Sequence, residues 1–237
     1  MPAGSATEVI LALDVESRNR AESIIEATGD ELLWIKIGLQ SYLRDGPGFI
    51  HDIAAQGKKV FLDLKLHDIP NTMAKAIESL ADLPVSMLTI HASAGPVAAA
   101  RCAETMSKVL PNATLLAVTV LTSLDEKSLQ RLGVERSPED QVVNLACLAA
   151  EAGVGGIVCS PREIRPLRQV LSSGVSLVTP GIRPPGSALD DQKRVMTPAE
   201  AAKAGANYLV IGRPILAAKD PAAALAAIRS ELNSTIE

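Results

Sequence analysis

The chain has 237 residues, 47% of them hydrophobic and 21% charged, with a net charge of −4. This balance suits one soluble globular domain with a full core and leaves no broad basic surface for nucleic acid. Aromatics at 2% leave too few rings for a base-stacking, single-strand-binding module.

No apolar run approaches the roughly 18 residues of a membrane span. Cys102, Cys147 and Cys159 are odd in number and form no CxxC pair, and no secretory segment precedes them. They read as reduced core thiols of a cytoplasmic protein. The opening MPAGSAT, residues 1 to 7, is small and polar and reads as a flexible terminus.

From there, apolar runs of strand character alternate with alanine-rich or amphipathic segments suited to helices. The runs are VILALDV (9 to 15), LWIKIG (33 to 38), KVFLDLK (59 to 65), SMLTIHA (86 to 92), TLLAVTVL (114 to 121), GGIVCS (155 to 160), SLVTPGI (176 to 182) and NYLVIG (207 to 212). Helices are expected over 18–27, 48–56, 72–81, 97–109, 141–152, 161–171, 198–204 and 221–232. Eight strand–helix alternations without a compositional break predict one domain, a closed parallel (β/α)8 TIM barrel over 1–237, with a doubly wound open sheet as the second architecture.

The densest chemistry lies in VFLDLKLHDIPNT, 60 to 72. Asp63 and Lys65 are the polar exceptions in a strand-like run. Residues two apart on a strand share a face, about 7 Å apart along the backbone, so one carboxylate and one ammonium project together. Asp68 follows in the connecting loop, and Pro70 with Asn71 opens the next helix. A structural ion pair would account for two charges, but three charges crowd into six residues at the carboxyl end of one strand. Asp63, His67 and Asp68 could also hold a metal, but Lys65 in their midst opposes it, and no HxxH or HExxH spacing supports it.

In such a barrel the site forms at the carboxyl ends of the strands. There the chain places Asp14, Lys36, Asp63 with Lys65, His91, Thr122 with Ser123, Arg183 and Arg213. Asp14 or Ser17 could instead cap the helix that follows. His91 could be only a structural hydrogen-bonding group, and His67 could only tie its loop down, while His51 falls on a helix surface. Lys36, in an apolar strand, needs a carboxylate partner, and Asp63 and Asp14 are the candidates. Gly212 and Arg213 after the eighth run suit a phosphate, since loops after strands seven and eight commonly bind one. The connection of about fifteen residues between Ile182 and Thr197 is long for a barrel loop and reads as a lid carrying Arg183 and Gln192.

Taken together and in order, ALDV, IKIG, DLKLHDIPNT with its DxKxxD core, TVLTS, TPGIRP, DQKRV and IGRPI resemble the bacterial-type orotidine 5′-monophosphate decarboxylases from about Ile10 to Ile215. The resemblance implies a cofactor-free, metal-free decarboxylation of orotidine 5′-phosphate to uridine 5′-phosphate, the last step of de novo UMP synthesis. It implies Lys65 as proton donor to C6 and Asp63 beside the leaving carboxylate. Asp14 and Lys36 would lie at the ribose hydroxyls, with Thr122 near the pyrimidine. Ile69 and Thr72 would belong to the substrate-binding set, and Arg183, Gln192, Gly212 and Arg213 to the phosphate. It further implies a homodimer in which Asp68 enters the partner's site.

Two other readings stand beside it. One is a magnesium-dependent decarboxylase or aldolase of the same superfamily acting on a phosphorylated keto sugar, although such relatives place a carboxylate where this chain has Lys36. The other is a non-catalytic nucleotide-binding barrel, which would need no Lys65 beside Asp63.

Overall fold

The computed structural model describes residues 7–185 and 195–234. Eight parallel strands close into a barrel in chain order: β1 (Glu8–Ala12), β2 (Trp34–Gly38), β3 (Lys59–Leu66), β4 (Val85–His91), β5 (Thr114–Val118), β6 (Gly156–Val158), β7 (Ser176–Thr179) and β8 (Tyr208–Ile211). Strand β8 pairs back onto β1 with Leu11 opposite Ile211, so no edge strand remains. The open-sheet alternative is thereby set aside. Of the seven residues read as a flexible terminus, Thr7 is tied by its hydroxyl to the Ala206 carbonyl at 2.9 Å, and the first six lie outside the described residues.

Two apolar layers hold the barrel. Inside it, Ile10, Ala12, Trp34, Phe61, Met87, Leu116, Val178 and Val210 fill the lumen. Outside, the opposite faces of the same strands pack on the helices through residues such as Leu11, Ile35, Leu62, Leu88, Ile157 and Leu209. The strands are therefore buried on both faces, which explains why they read as nearly continuous apolar runs rather than as alternating ones.

Several strands end before the apolar runs do. The first, fifth, sixth and seventh runs extend to Val15, Leu121, Ser160 and Ile182, whereas the strands stop at Ala12, Val118, Val158 and Thr179. Five of the overhanging residues line a cavity at the barrel mouth, Ser160 and the apolar Val120, Leu121, Cys159 and Pro180. The last four are apolar because they wall that cavity, not because they pair in the sheet.

The helices depart from expectation in the opposite sense. The span Leu39–Ala55 is two helical stretches separated by Gly46, whose φ of 67° and ψ of −167° are not helical, directly before Pro47; the second stretch is the helix expected over 48–56 and the first is additional. A short helix Glu126–Arg131, capped by Asp125, and a single turn Arg213–Leu216 add to the eight expected helices. The helix after β3 runs Pro70–Glu78 rather than 72–81, with the proline in its first turn.

Candidate active site

The lumen layering explains why charges meet at the barrel mouth. Lys36 lies two residues after Trp34, Asp63 two after Phe61 and Thr89 two after Met87, so each takes the inward position one step above the apolar layer. The pairing register sets Gly38 beside Asp63 and Lys36 beside Phe61, which brings the side chains of β2 and β3 into contact.

The result is a chain of alternating charge. Lys36 Nζ lies 3.2 Å from Asp14 Oδ2 and 3.4 Å from Asp63 Oδ2, and Lys65 Nζ lies 2.8 Å from the same Asp63 oxygen. The other Asp63 oxygen accepts from the Thr89 hydroxyl at 2.9 Å. The side chains of Lys36 and Asp63 are 9% and 11% exposed, against 44% for Asp14, so the middle of the array is desolvated and its outer end is wet. Burial pushes the Asp63 carboxyl up, but the charges of Lys36 and then Lys65, with hydrogen bonds from Lys65 and Thr89, outweigh it and hold the group below its ordinary value.

Asp63 and Lys65 do not meet by simple strand alternation. Between Leu62 and Leu66 the register against β4 slips, so that four steps on β3 match two on β4, from Leu88 to Ile90. Within this bulge Lys65 takes φ 51°, the one non-glycine residue with positive φ among the described residues. The expectation of a shared face holds in outcome, but the ammonium is aimed by a bulge that the alternation rule does not contain.

Beside the array is a cavity of about 200 Å³ lined by Lys36, Asp63 and Lys65 on one side and by Val118, Val120, Leu121, Thr122, Val158 and Pro180 on the other. Ser160, which also lines it, is 1% exposed. Its amide donates to the Glu163 carboxylate at 2.7 Å and its carbonyl accepts from Glu163 N–H at 3.1 Å. Its Oγ sits where a capping-box hydroxyl would, yet it makes no hydrogen bond. Sequence reasoning singles out neither Thr89 nor Ser160. A threonine in a β-rich run reads as an ordinary strand residue, and a serine before a proline reads as a helix start.

Other expected residues fall around the rim. Asp68, Ile69 and Thr72 are exposed and stand outside the cavity wall, and Asp68 Oδ1 accepts from its neighbour's amide, Ile69 N–H, at 2.7 Å. Ile69 is 66% exposed. Arg183 is 8% exposed, its guanidinium bonded to the Ile182 carbonyl and its amide to the Met196 carbonyl. An isolated bridge between Ile182 and Met196 joins the two ends of the long connection. Gln192 lies outside the described residues. Arg213 is exposed and begins the turn that Gly212 caps.

The alternatives weighed from sequence also resolve. Ser17 caps the helix Arg18–Thr28 by accepting from Arg20 N–H, while Asp14 pairs with Lys36. His51 is exposed on its helix. His91 holds Ser93 Oγ at 2.6 Å and stacks on His67 at 5.2 Å between ring centroids; burial, His67 and Lys65 together push its pKa down. Among the described residues no group of three or more His, Cys, Asp or Glu is placed to hold a metal ion, and no helix is long and apolar enough to cross a membrane.

The chain is similar to known proteins along nearly its whole length. The family model described as orotidine 5′-phosphate decarboxylase / HUMPS matches residues 7–228. The chain is 52% identical to an orotidine 5′-phosphate decarboxylase of Opitutus terrae, over 97% of this chain and 100% of that one. It is 47% identical to another of Nitrosococcus oceani, over 96% and 98%. The crystal structure of an orotidine 5′-phosphate decarboxylase from Lactobacillus acidophilus superposes with a TM-score of 0.86 at 34% identity, covering 96% of this chain and 99% of that one.

Proposed function

Because the chain belongs to the orotidine 5′-phosphate decarboxylase / HUMPS family, we propose that it converts orotidine 5′-phosphate to uridine 5′-phosphate and CO2, the last step of UMP synthesis. The observation that carries the reading is the ammonium of Lys65, 2.8 Å from a buried carboxylate and facing a small, largely apolar cavity.

The chemistry asks for that arrangement. Breaking the bond from C6 to the carboxylate leaves an electron pair in the plane of the pyrimidine, where the ring delocalises it poorly. A fixed cation beside that carbon stabilises the pair, and Lys65 then gives its proton to C6 and is reprotonated from solvent. Asp63 stands beside the departing carboxylate and holds the ammonium in place. One unit charge pair at 4 Å is worth roughly 4 kcal/mol at an effective dielectric near 20, about a thousandfold in rate. The remaining acceleration is assigned to preorganisation of the whole array and to phosphate binding energy used in closing the site. The hydration and entropy costs of that array are met on folding, before substrate arrives.

The other assignments follow the same frame. Asp14 and Lys36 hold the ribose hydroxyls, Thr122 lies near the pyrimidine, and the unpartnered Ser160 hydroxyl is available to the polar edge of the ring. Arg183, Gln192, Gly212 and Arg213 grip the phosphate. The exposed Asp68, with Ile69 and Thr72 beside it, reaches the active site of a second copy in a homodimer. Support for that last step is the outward placement of all three residues and the bare apolar side chain of Ile69.

The test is loss of orotate absorbance when purified, chelator-treated protein is given orotidine 5′-phosphate. No turnover there, with turnover of a keto-sugar phosphate once magnesium is added, would reject the proposal. Lys65→Ala is expected to keep nucleotide binding within about tenfold while turnover falls by more than the thousandfold of one charge pair. A purely structural lysine would instead appear as lost thermal stability.

A further inference from the structure

We propose that Thr89 is a positioning residue for this reaction: its buried hydroxyl joins the Lys65 backbone to the Asp63 carboxylate and so fixes both groups relative to one another. The proposal rests on the decarboxylase reading above and extends it to a residue that does not line the cavity.

Three observations meet at this hydroxyl. Thr89 is 0% exposed, on β4 directly across from the bulge in β3. Its Oγ1 accepts from Lys65 N–H at 2.9 Å and donates to Asp63 Oδ1 at 2.9 Å, so one oxygen uses its hydrogen and a lone pair on the two reacting residues at once. Lys65 is also the residue held at φ 51°, a conformation that costs a non-glycine residue free energy and persists only where its surroundings impose it. In a regular ladder the Lys65 amide would bond a β4 carbonyl. Here the register slips, and a side chain of β4 takes that amide instead.

The two bonds act in the same direction. The donated bond orients the Asp63 carboxylate so that its other oxygen faces Lys36 at 3.4 Å and Lys65 at 2.8 Å. The accepted bond holds the backbone that carries the ammonium. A hydroxyl that only filled space in the core would need neither. The groups facing Asp63 are Lys36 from β2, Lys65 from β3 itself and Thr89 from β4. Asp14 pairs with Lys36 from its other side, and the charge of Lys65 is also felt by His91, which stacks on His67. Of the three groups facing Asp63, Thr89 is the uncharged one. Its removal therefore perturbs geometry without changing net charge.

The experiment compares Thr89→Val, which keeps shape and removes both bonds, with Thr89→Ser, which keeps the hydroxyl. The parent's turnover of orotidine 5′-phosphate is the reference; absence of turnover in the parent rejects the reaction assignment rather than the role of Thr89. In Thr89→Val, kcat is expected to fall about 10- to 100-fold, the usual range for a lost hydrogen bond to a charged group, with KM within about threefold. Loss of a donor that stabilises the ionised carboxylate raises the Asp63 pKa, so the acidic limb of the pH profile of kcat moves to higher pH. Thr89→Ser is expected to restore kcat and the position of that limb. A Thr89→Val enzyme with kcat within threefold of the parent and an unmoved acidic limb overturns the proposal. So does a Thr89→Ser enzyme impaired as deeply as Thr89→Val. If Thr89→Val does not fold, Thr89→Ala against Thr89→Ser supplies the same two readouts, and the same results support or overturn the proposal.

Discussion

Gly38→Ala tests whether the spacing of the charged array, rather than its composition, carries the activity. Gly38 has φ −89° and ψ −178°, ordinary extended backbone that alanine adopts without strain. The obstacle is space: a Cβ there would stand 2.8 Å from Asp14 Oδ1 and 2.9 Å from Lys36 Nζ. Both atoms end flexible side chains, so the fold survives and the side chains retreat. Lys36 has little room to do so, being held between two carboxylates at 3.2 and 3.4 Å with its side chain 9% exposed. Stretching the pair with Asp14 by about 1 Å costs about 1 kcal/mol at an effective dielectric of 20, and the exposure of Asp14 reduces that by half or more through screening.

Charge alone thus predicts only about a twofold loss, whereas misplacing reacting or substrate-holding groups by about 1 Å can cost about 100-fold. The expected result is a fall in kcat/KM of about tenfold or more, followed by orotate absorbance. Since the hydrogen bonds lost are the long ones, 3.2 and 3.5 Å, from Lys36 to the half-exposed Asp14, Tm should stay within about 4 °C of the parent. A folded variant with kcat/KM within twofold of the parent would refute the reasoning, because the array would then tolerate displacement.

Mixing Lys65→Ala with Asp68→Ala tests the composite site. If each site takes Lys65 from one protomer and Asp68 from its partner, re-equilibrated hybrids regain one intact site per heterodimer, about a quarter of parental activity from two nearly dead stocks; no recovery after confirmed exchange would place Asp68 in its own chain's site. The thiols offer a separate check on burial. Cys102 and Cys159 are buried, with their pKa values pushed up by desolvation to about 11 and about 12, so at pH 8 only the half-buried Cys147 should react with iodoacetamide in the native protein, as counted by mass spectrometry. Rapid native labelling at Cys159, in the cavity wall, would contradict the packing described there.

Much of the architecture is legible in the sequence because a parallel barrel repeats one pattern eight times, and each repeat carries its own apolar run and helix. Asp63, Lys65 and Lys36 are legible for a related reason: a charge in a doubly buried strand has to be compensated, and the nearest compensating charges stand at matching places on neighbouring strands. What is not legible depends on partners distant in sequence. Thr89 gains its role only once β4 lies against a bulge in β3, and a bulge leaves no mark in a run such as LDLKL. Overlong strands come from residues like Val120 and Cys159, whose apolar character serves a cavity wall and mimics a continuing sheet. The helical stretch begun at Leu39 is hidden by its shortness, since Gly46 breaks it and Pro47 opens the next one.

The array Asp14, Lys36, Asp63 and Lys65 sums to zero, two positive and two negative groups in sequence. Strong fields exist within a few ångströms of it and almost none further out, since opposed neighbours cancel with distance, and the protein as a whole is anionic. An inner site of this kind does not draw a polyanionic nucleotide from solution. Under the proposed reading, recruitment is left to the guanidinium of Arg213 at the rim. Added salt should consequently slow the capture of dilute substrate while leaving the turnover of bound substrate nearly untouched.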